Sequence, residues 1–529
     1  MPDSSPFIDA SVRRTRPSSW SPYRWTLLIA ALTLATFVVQ GYHPLAEDGG
    51  LYVAGIEFKL NPHLFPHYTQ FVSEHLRFSI FAPVLCSLIH VTHLPMLYMI
   101  LLVDLVSIAL TLAAGLALLR RITADERAQL AGIAMLGALL TLPIAGTSLL
   151  LMDPYLTARS LSTPLSLWAI ALALDPWDRQ RRGSLAGCVA ALALAAAFHP
   201  LMAGYAVGFV IVLRVLRSLH RLAFLVMLAA LTFLGTAILQ AHAPVDSPAV
   251  VLASKSRYYW FLSQWHWYEI FGLCGPFLIL FAQLRLNRAR LLQPASALCI
   301  AALLYGSFAI LLAVCFAHES SSSHIVARLQ PLRVFQMIYI FMVLLLGAGL
   351  QQLFEYGFGR LDSRRLSRSA SYAAGFIILV AAFAMYASQR QQFSASSHIE
   401  LPWRTRQNPN PWVRAFLWCR ANTPVDALFA LDAHYITTHG EDAQTFRAIA
   451  QRSALPDFSK DGGEASITPR LADRWLAGFT AQLGLSSLDE RTLRARLAPF
   501  GVTWLVLRST SPAALACPYN NGAIKVCKL

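Results

Sequence analysis

Two adjacent carboxylates, Glu47 and Asp48, close the first apolar run of this 529-residue chain, in AEDGGLYVAGIEFKLNPHLFPHY. An acid where a chain leaves an apolar segment can act as general base towards a hydroxyl or amine, or hold a divalent metal. Two glycines follow, then a helical pattern that sets Tyr52 one turn beyond Asp48. A solvated loop in which one acid caps the helix would use the same residues without chemistry. A third acid, Asp153, ends a later apolar run in LLLMDPYLTARSLSTPL, with Arg159 six residues on. Asp153-Pro154 can also be a simple turn before the next helix. Further cations stand near later apolar runs: Arg328 and Arg333 in HESSSSHIVARLQPLR, with His318 and His324 nearby, and Arg257 in SKSRYYWFLSQWHWY. The planar fork of arginine can donate two hydrogen bonds at once to an oxyanion. Snorkelling at a membrane interface accounts for Arg333 equally well, and Tyr258, Tyr259, Trp260, Trp265, Trp267 and Tyr268 read first as an interfacial aromatic belt, with ring stacking on a sugar face as the alternative.

The elements that must position these residues are membrane spans. Apolar residues make up 56% and charged residues 13% of the chain, with mean hydropathy +0.51. A soluble domain carries about 25% charged residues, so a soluble enzyme is excluded. Apolar runs of roughly 17–25 residues, each able to cross a ~30 Å hydrocarbon core, recur from Trp25 to Ala387. The net charge of +15 comes from arginines in short loops between those runs, which sets orientation and implies no nucleic-acid partner.

The runs predict a polytopic α-helical membrane protein of about eleven spans, near 25–41, 95–119, 129–151, 161–174, 184–199, 201–217, 221–241, 268–284, 295–317, 332–351 and 372–388. The first is read as a retained helix, because QGYHP lacks a small-x-small cleavage site. The stretch 78–91 is short and holds Pro83, so it is read as lying on the membrane surface. Arg120, Arg121, Arg127, Arg179, Arg181, Arg182, Arg214, Arg217, Arg221, Arg285, Arg288, Arg290, Arg360, Arg364, Arg365 and Arg368 then all face the cytoplasm. This puts segment 1–24 inside and the loops 42–94, 152–160, 242–267 and 318–331 outside, with the 390–529 tail. Asp104 stands near the middle of a span, a costly position that suggests function.

From Gln391 the chain turns polar, and LPWRTRQNPNPW reads as a linker into a small extracytoplasmic α/β domain. ALFAL at 427–431 and VTWLVL at 502–507 predict buried strands, and 442–452 and 488–497 predict helices. Cys517 and Cys527 flank Tyr-Asn-Asn-Gly, a turn that can bring the thiols within bridging distance for a disulfide. No Cys/His spacing supports a structural metal site, and no internal repeat is present.

The order of these features resembles the GT-C superfamily of membrane glycosyltransferases that use polyprenyl-phosphate sugars, including protein mannosyltransferases and aminoarabinose transferases. The likeness is carried by one span, an outer loop with Asp48 and Tyr52, a short surface helix, a span ending in Arg120-Arg121, another span, and Asp153 followed by Leu156-Thr157. It covers roughly 20–240, and AFHPLMAGY and RLQPLRVFQ look similar to a largely uncharacterised bacterial branch. By this resemblance Asp48 is the first-loop catalytic acid and Asp153 the second-loop acid. This chain reads Glu47-Asp48 where the superfamily reads Asp-Glu, which leaves the base open between the two.

The expectation is therefore an inverting glycosyltransferase of the bacterial inner membrane, amino terminus cytoplasmic and tail periplasmic, working from a polyprenyl-phosphate donor on an unidentified acceptor. Asp48, Glu47 and Asp153 would be catalytic, with Tyr52, Arg159, Arg328, Arg333 and His318 on the substrates. No cofactor is required by the sequence, although the acids permit a divalent metal. A second reading keeps the scaffold without catalysis, as a transport or assembly component of envelope glycan synthesis.

Overall fold

The computed structural model describes residues 21–176, 182–216, 222–286, 293–359, 364–437 and 443–529. Arg179, Arg181, Arg217, Arg221, Arg288, Arg290 and Arg360 of the orientation argument lie outside the described residues, as does most of segment 1–24. In chain order the helices are α1 Pro22–Gln40, α2 Glu47–Leu60, α3 Gln70–Ser73, α4 Phe81–Thr92, α5 Met96–Ile122, α6 Glu126–Ala138, α7 Ala158–Ala173, α8 Arg182–Phe198, α9 Pro200–Leu216, α10 Leu222–His242, α11 Pro248–Lys255, α12 Trp267–Leu286, α13 Gln293–Phe316, α14 Ile325–Arg328, α15 Phe335–Gly359 and α16 Arg364–Gln392. The tail adds α17 Pro411–Asn422, α18 Phe446–Ala450, α19 Lys460–Ile467, α20 Ala472–Ala481 and α21 Glu490–Leu497.

Among the described residues, seven helical segments are long and apolar enough to cross a bilayer, which makes the chain a multi-pass membrane protein. Eleven spans are not confirmed among the described residues, and one of the expected runs fails for a physical reason. The run 129–151 is not one helix: α6 stops at Ala138, and Pro143 sits in a two-stranded hairpin of β1 Pro143–Ile144 and β2 Leu149–Leu150. Its 13 residues reach only about 20 Å. Pro143 cannot continue a helix, because it lacks a donor and clashes with the preceding turn. At 16 residues α7 also falls short of a full straight crossing. The surface stretch is the 12-residue α4, bent 96° from the preceding segment 70–78.

Inside the bundle α15 is buried nearly all round, from Phe335 through Leu345. A helix that is apolar here on every side but for Gln336, which donates to the Leu151 carbonyl, belongs in the centre. It packs on α6 so closely that a Cβ at Gly347 would stand 2.9 Å from the Gly132 Cα, the small-residue approach typical of membrane helices. No residue of α10 is buried, which leaves its apolar surface to lipid.

The tail sheet runs β4-β3-β5-β7-β6, from β3 Leu428–Ala430, β4 Ser453–Ala454, β5 Trp504–Arg508, β6 Tyr519–Asn520 and β7 Ile524–Lys528. Side chains alternate across it. Leu428, Ala430, Leu505 and Leu507 face Leu493 and Leu497 of α21, whereas Phe429 and Val506 join a cluster holding Leu45, Val53, Phe81, Met99 and Leu156 of the membrane domain. The tail thus shares one of its cores with the 42–94 loop. A disulfide joins Cys517 to Cys527 beside the β6–β7 hairpin. The segments seal further through a parallel bridge between Tyr42 and Ile399 and an antiparallel bridge between Ala46 and Gln444.

Candidate functional site

Glu47 opens α2 with φ +50°, a left-handed conformation rare for a side chain of this kind. It is held there because its N–H donates to the Ala443 carbonyl of the tail at 2.9 Å. The next turn needs its two glycines. A Cβ at Gly49 would lie 2.9 Å from the Tyr155 Cβ, and one at Gly50 would collide with the Thr445 side chain. The tail and the Asp153 segment therefore close directly over the start of α2.

Lys460, the first residue of α19, reaches back from the tail and bonds both acids. Its Nζ donates to Asp48 Oδ1 at 2.9 Å and pairs with Glu47. The sequence reading did not single out this lysine. The only signal was its rarity, since it is one of five lysines in a chain that otherwise uses arginine. Arg257, expected as a phosphate ligand, instead donates to the carbonyls of Ser459 at 2.8 Å and Phe458 at 3.0 Å, fixing the backbone just ahead of Lys460.

Asp153 and Arg159 form a buried ion pair through one guanidinium nitrogen, Nη2, while Nη1 has no partner. The Tyr155 phenol, two residues on from Asp153, is pushed up by burial and then by the charges of Asp153, Asp48 and Glu47. Arg333 comes from the other side. Gln330 turns at φ +49°, Pro331 starts a 3-10 helix, and the Tyr205 hydroxyl holds the turn by donating to the Leu329 and Gln330 carbonyls. Arg333 acts electrostatically on both Asp48 and Tyr52, and its buried Nε is unpartnered. Tyr52 packs edge-on against His75 and Phe81.

The structure thus gathers Glu47, Asp48, Tyr52, Asp153, Arg159 and Arg333, and adds Lys460 and Tyr155. It does not bring in Arg328 or His318. Arg328 donates to Asp246 at 2.6 Å, in a cluster that His324 completes through its N–H and ring nitrogen. That places its charge on the loop before α11, a partner far away in sequence that no local pattern reveals. His318 is exposed at the end of α13. Trp260 and Trp265 of the aromatic loop turn inward, while Trp267 and Tyr268 stay exposed as belt residues. Asp104 is fully buried in α5 with both oxygens unpartnered.

The electrostatics follow from this crowding. Over half of the Asp48 side chain (53%) is open, while Lys460, which it bonds, is only 15% exposed. Burial pushes its carboxyl up, but Lys460, then Arg159 and Arg333, outweigh this and leave it at about 2. Burial would lower the Lys460 ammonium, and the two acids more than reverse that. Burial raises Asp153 and Arg159 pulls it back only in part. His75 is held neutral by burial at about 4. Among the described residues no group of three or more His, Cys, Asp or Glu side chains could hold a metal ion.

Glu57, on the same helix, shows the opposite case and a testable consequence. Burial pushes its carboxyl up to about 8, although Gln451 of the tail donates to it at 2.6 Å. An acid raised on folding binds its proton more tightly in the native state, so the stability it contributes is present at low pH and lost as pH rises from the ordinary carboxylate range through about 8. Glu57→Gln, which keeps the neutral shape, should therefore gain in melting temperature relative to the parent between pH 5 and pH 8. An identical change in both proteins would show that Glu57 is ionised.

No family model matches the chain, and no curated protein matches it. Solved structures do. The Archaeoglobus fulgidus oligosaccharyltransferase tethered to an acceptor peptide containing the NVT sequon aligns with TM-score 0.50 at 12% identity, covering 93% of this chain and 70% of that one. The archaeal oligosaccharyltransferase AglB, also from A. fulgidus and in complex with an inhibitory peptide and a dolichol-phosphate, aligns with TM-score 0.50 at 11% identity and the same coverage. A mycobacterial arabinofuranosyltransferase, AftD, aligns over 97% of this chain and 42% of its own with TM-score 0.45 at 14% identity, too distant to carry an argument. The likeness is one of fold: this chain has the fold of these oligosaccharyltransferases.

Proposed function

We propose that the chain is a GT-C-type glycosyltransferase of a bacterial inner membrane, moving a sugar from a polyprenyl-phosphate donor to an acceptor on the outer, periplasmic side. One observation supports this reading: two arginines whose charges act on Asp48, Arg159 and Arg333, each carry a guanidinium donor that no acceptor among the described residues satisfies. Buried donors without partners are costly, and a phosphate is the ligand that their fork geometry suits. One of the fold neighbours is described with a dolichol-phosphate, a lipid phosphate of the kind assigned here to the donor.

In mechanism, Asp48 accepts the hydrogen of the acceptor nucleophile and aims it at the anomeric carbon. A carboxyl as acidic as this one serves chiefly by orienting and by stabilising positive charge on the sugar as the bond to phosphate breaks. The bond forms on the face opposite the leaving oxygen, with inversion, and the departing phosphate takes up the bond's electron pair beside Arg333 and Arg159. Asp153 fixes Arg159. The non-catalytic scaffold is the competing reading.

Arg333→Gln tests this. Transfer of labelled sugar from a polyprenyl-phosphate donor in membranes should fall about 10²–10³-fold, since a donor to the developing charge is lost. Undiminished transfer would remove Arg333 from the leaving-group site. Absence of transfer in the parent across donor classes would favour the scaffold.

A further inference from the structure

We infer that Lys460 is the built-in cation of the Glu47–Asp48 pair, standing where a divalent metal would otherwise bind, so that transfer depends on the docked C-terminal domain and on no added metal ion. The inference rests on the glycosyl-transfer reading above.

The lysine is not a loose surface charge. Only 15% of its side chain is exposed, and its single ammonium meets both acids. The turn that presents it is anchored at every residue. The Lys460 N–H donates to Asp457 at 2.6 Å, the Asp457 N–H to Asp461 at 2.8 Å, and the Trp475 indole to the Asp457 carbonyl at 2.9 Å. Arg447 pairs with Asp461 at 2.7 Å, and Arg257 holds Phe458 and Ser459 from the membrane domain's own loop. Such anchoring is what a positioned group needs and what a solvent-facing lysine lacks.

A dication does not fit the same place. It would stand against an ammonium already bonded to Asp48, and hard cations take about six oxygen ligands. Glu47 and Asp48 are both engaged by Lys460, and Asp153 is engaged by Arg159. The groups facing Asp48 are Glu47 and Tyr52 of its own helix, Lys460 of α19, Asp153, Tyr155 and Arg159 of the segment entering α7, Arg333 ahead of α15, and His75 of the 3-10 helix His75–Phe78. Without Lys460, three acids would confront two arginines, and the pair would hold a proton more readily. Lys460 acts through the acids and is therefore a positioning residue.

Two measurements test the inference, one of them independent of transfer. Purified full-length protein in detergent is titrated with Mn²⁺ and followed by electron paramagnetic resonance. The parent should show no binding that Asp48→Asn abolishes; binding that depends on Asp48 overturns the inference. In the transfer assay with a chelator present, the parent should keep its rate, Lys460→Arg should stay within about tenfold, and Lys460→Met should fall about 10²-fold. The acid limb of the Lys460→Met pH–rate profile should also move up by about one unit or more. Loss of parental activity to the chelator with recovery on Mn²⁺ overturns the inference, as does a Lys460→Met variant with the parental rate and pH profile. Should the parent transfer no sugar while the Mn²⁺ titration comes out as expected, the glycosyl-transfer reading fails and the cation assignment stands.

Discussion

Asp48→Asn is expected to lower sugar transfer by about 10²–10⁴-fold while leaving the protein folded, because it keeps the shape of the side chain and removes the negative charge that orients the acceptor and stabilises the sugar as the bond to phosphate breaks. The geometry separates Asp48 from its neighbour. Glu47 is turned towards the tail by its left-handed backbone and pairs with Lys460, whereas Asp48 faces Lys460, Arg159 and Arg333 together and is the more open of the two. Glu47→Gln should accordingly cost less than Asp48→Asn. Asp125→Asn is the control, since Asp125 only caps α6 by accepting from the Arg127 N–H at 2.9 Å, and Asn caps about as well. The measurement is labelled-sugar transfer in membranes carrying each variant at matched expression. A reversed order, with Glu47→Gln inactive and Asp48→Asn active, moves the base by one residue. Full activity in both removes the mechanism.

Asp461→Asn is expected to destabilise the C-terminal domain by about 3–5 kcal/mol, the usual cost of stripping one partner from a buried ion pair. Asp461 is fully buried and meets Arg447 at 2.7 Å, and Arg447 is buried as well, with its other nitrogen donating to the Ala454 carbonyl at 3.0 Å. The asparagine would strip Arg447 of its hydrogen-bonded counter-ion and would loosen the Asp457 N–H contact that shapes the Lys460 turn. Thermal unfolding of the full chain in detergent, read by tryptophan fluorescence, should show a lower midpoint. An unchanged midpoint would mean that the pair is neutral or solvated. The double variant Asp461→Asn/Arg447→Leu should recover part of the loss, because it buries no charge.

Class and site were legible in the sequence wherever the signal is local. The shortage of charge and the length of the apolar runs established a membrane protein, because a bilayer selects for exactly those two properties over contiguous stretches. The tail strands around 428–430 and 504–508 followed from short apolar runs, and the Cys517–Cys527 pair from a turn between the thiols. Glu47, Asp48, Asp153 and Arg159 were visible because each lies within a few residues of the end of an apolar run. The number of spans was less legible, since apolar composition counts Leu139 to Leu151 as helix while Pro143 ends it.

What only the tertiary structure decided is which distant charges meet. Lys460 reaches Asp48 across 412 residues, Arg257 reaches Ser459 across 202, and Arg328 finds Asp246 across 82. None of these pairings has a periodicity or a motif, because an ion pair asks only for proximity and opposite sign. Proximity here is set by how the tail sheet seats Phe429 and Val506 on the loop between α1 and α5. The sequence by itself determined which residues were able to do chemistry. The docking of one apolar face on another determined that Arg257 serves Lys460, that Arg328 is held by Asp246, and that a lysine from the far end of the chain sits on the acids.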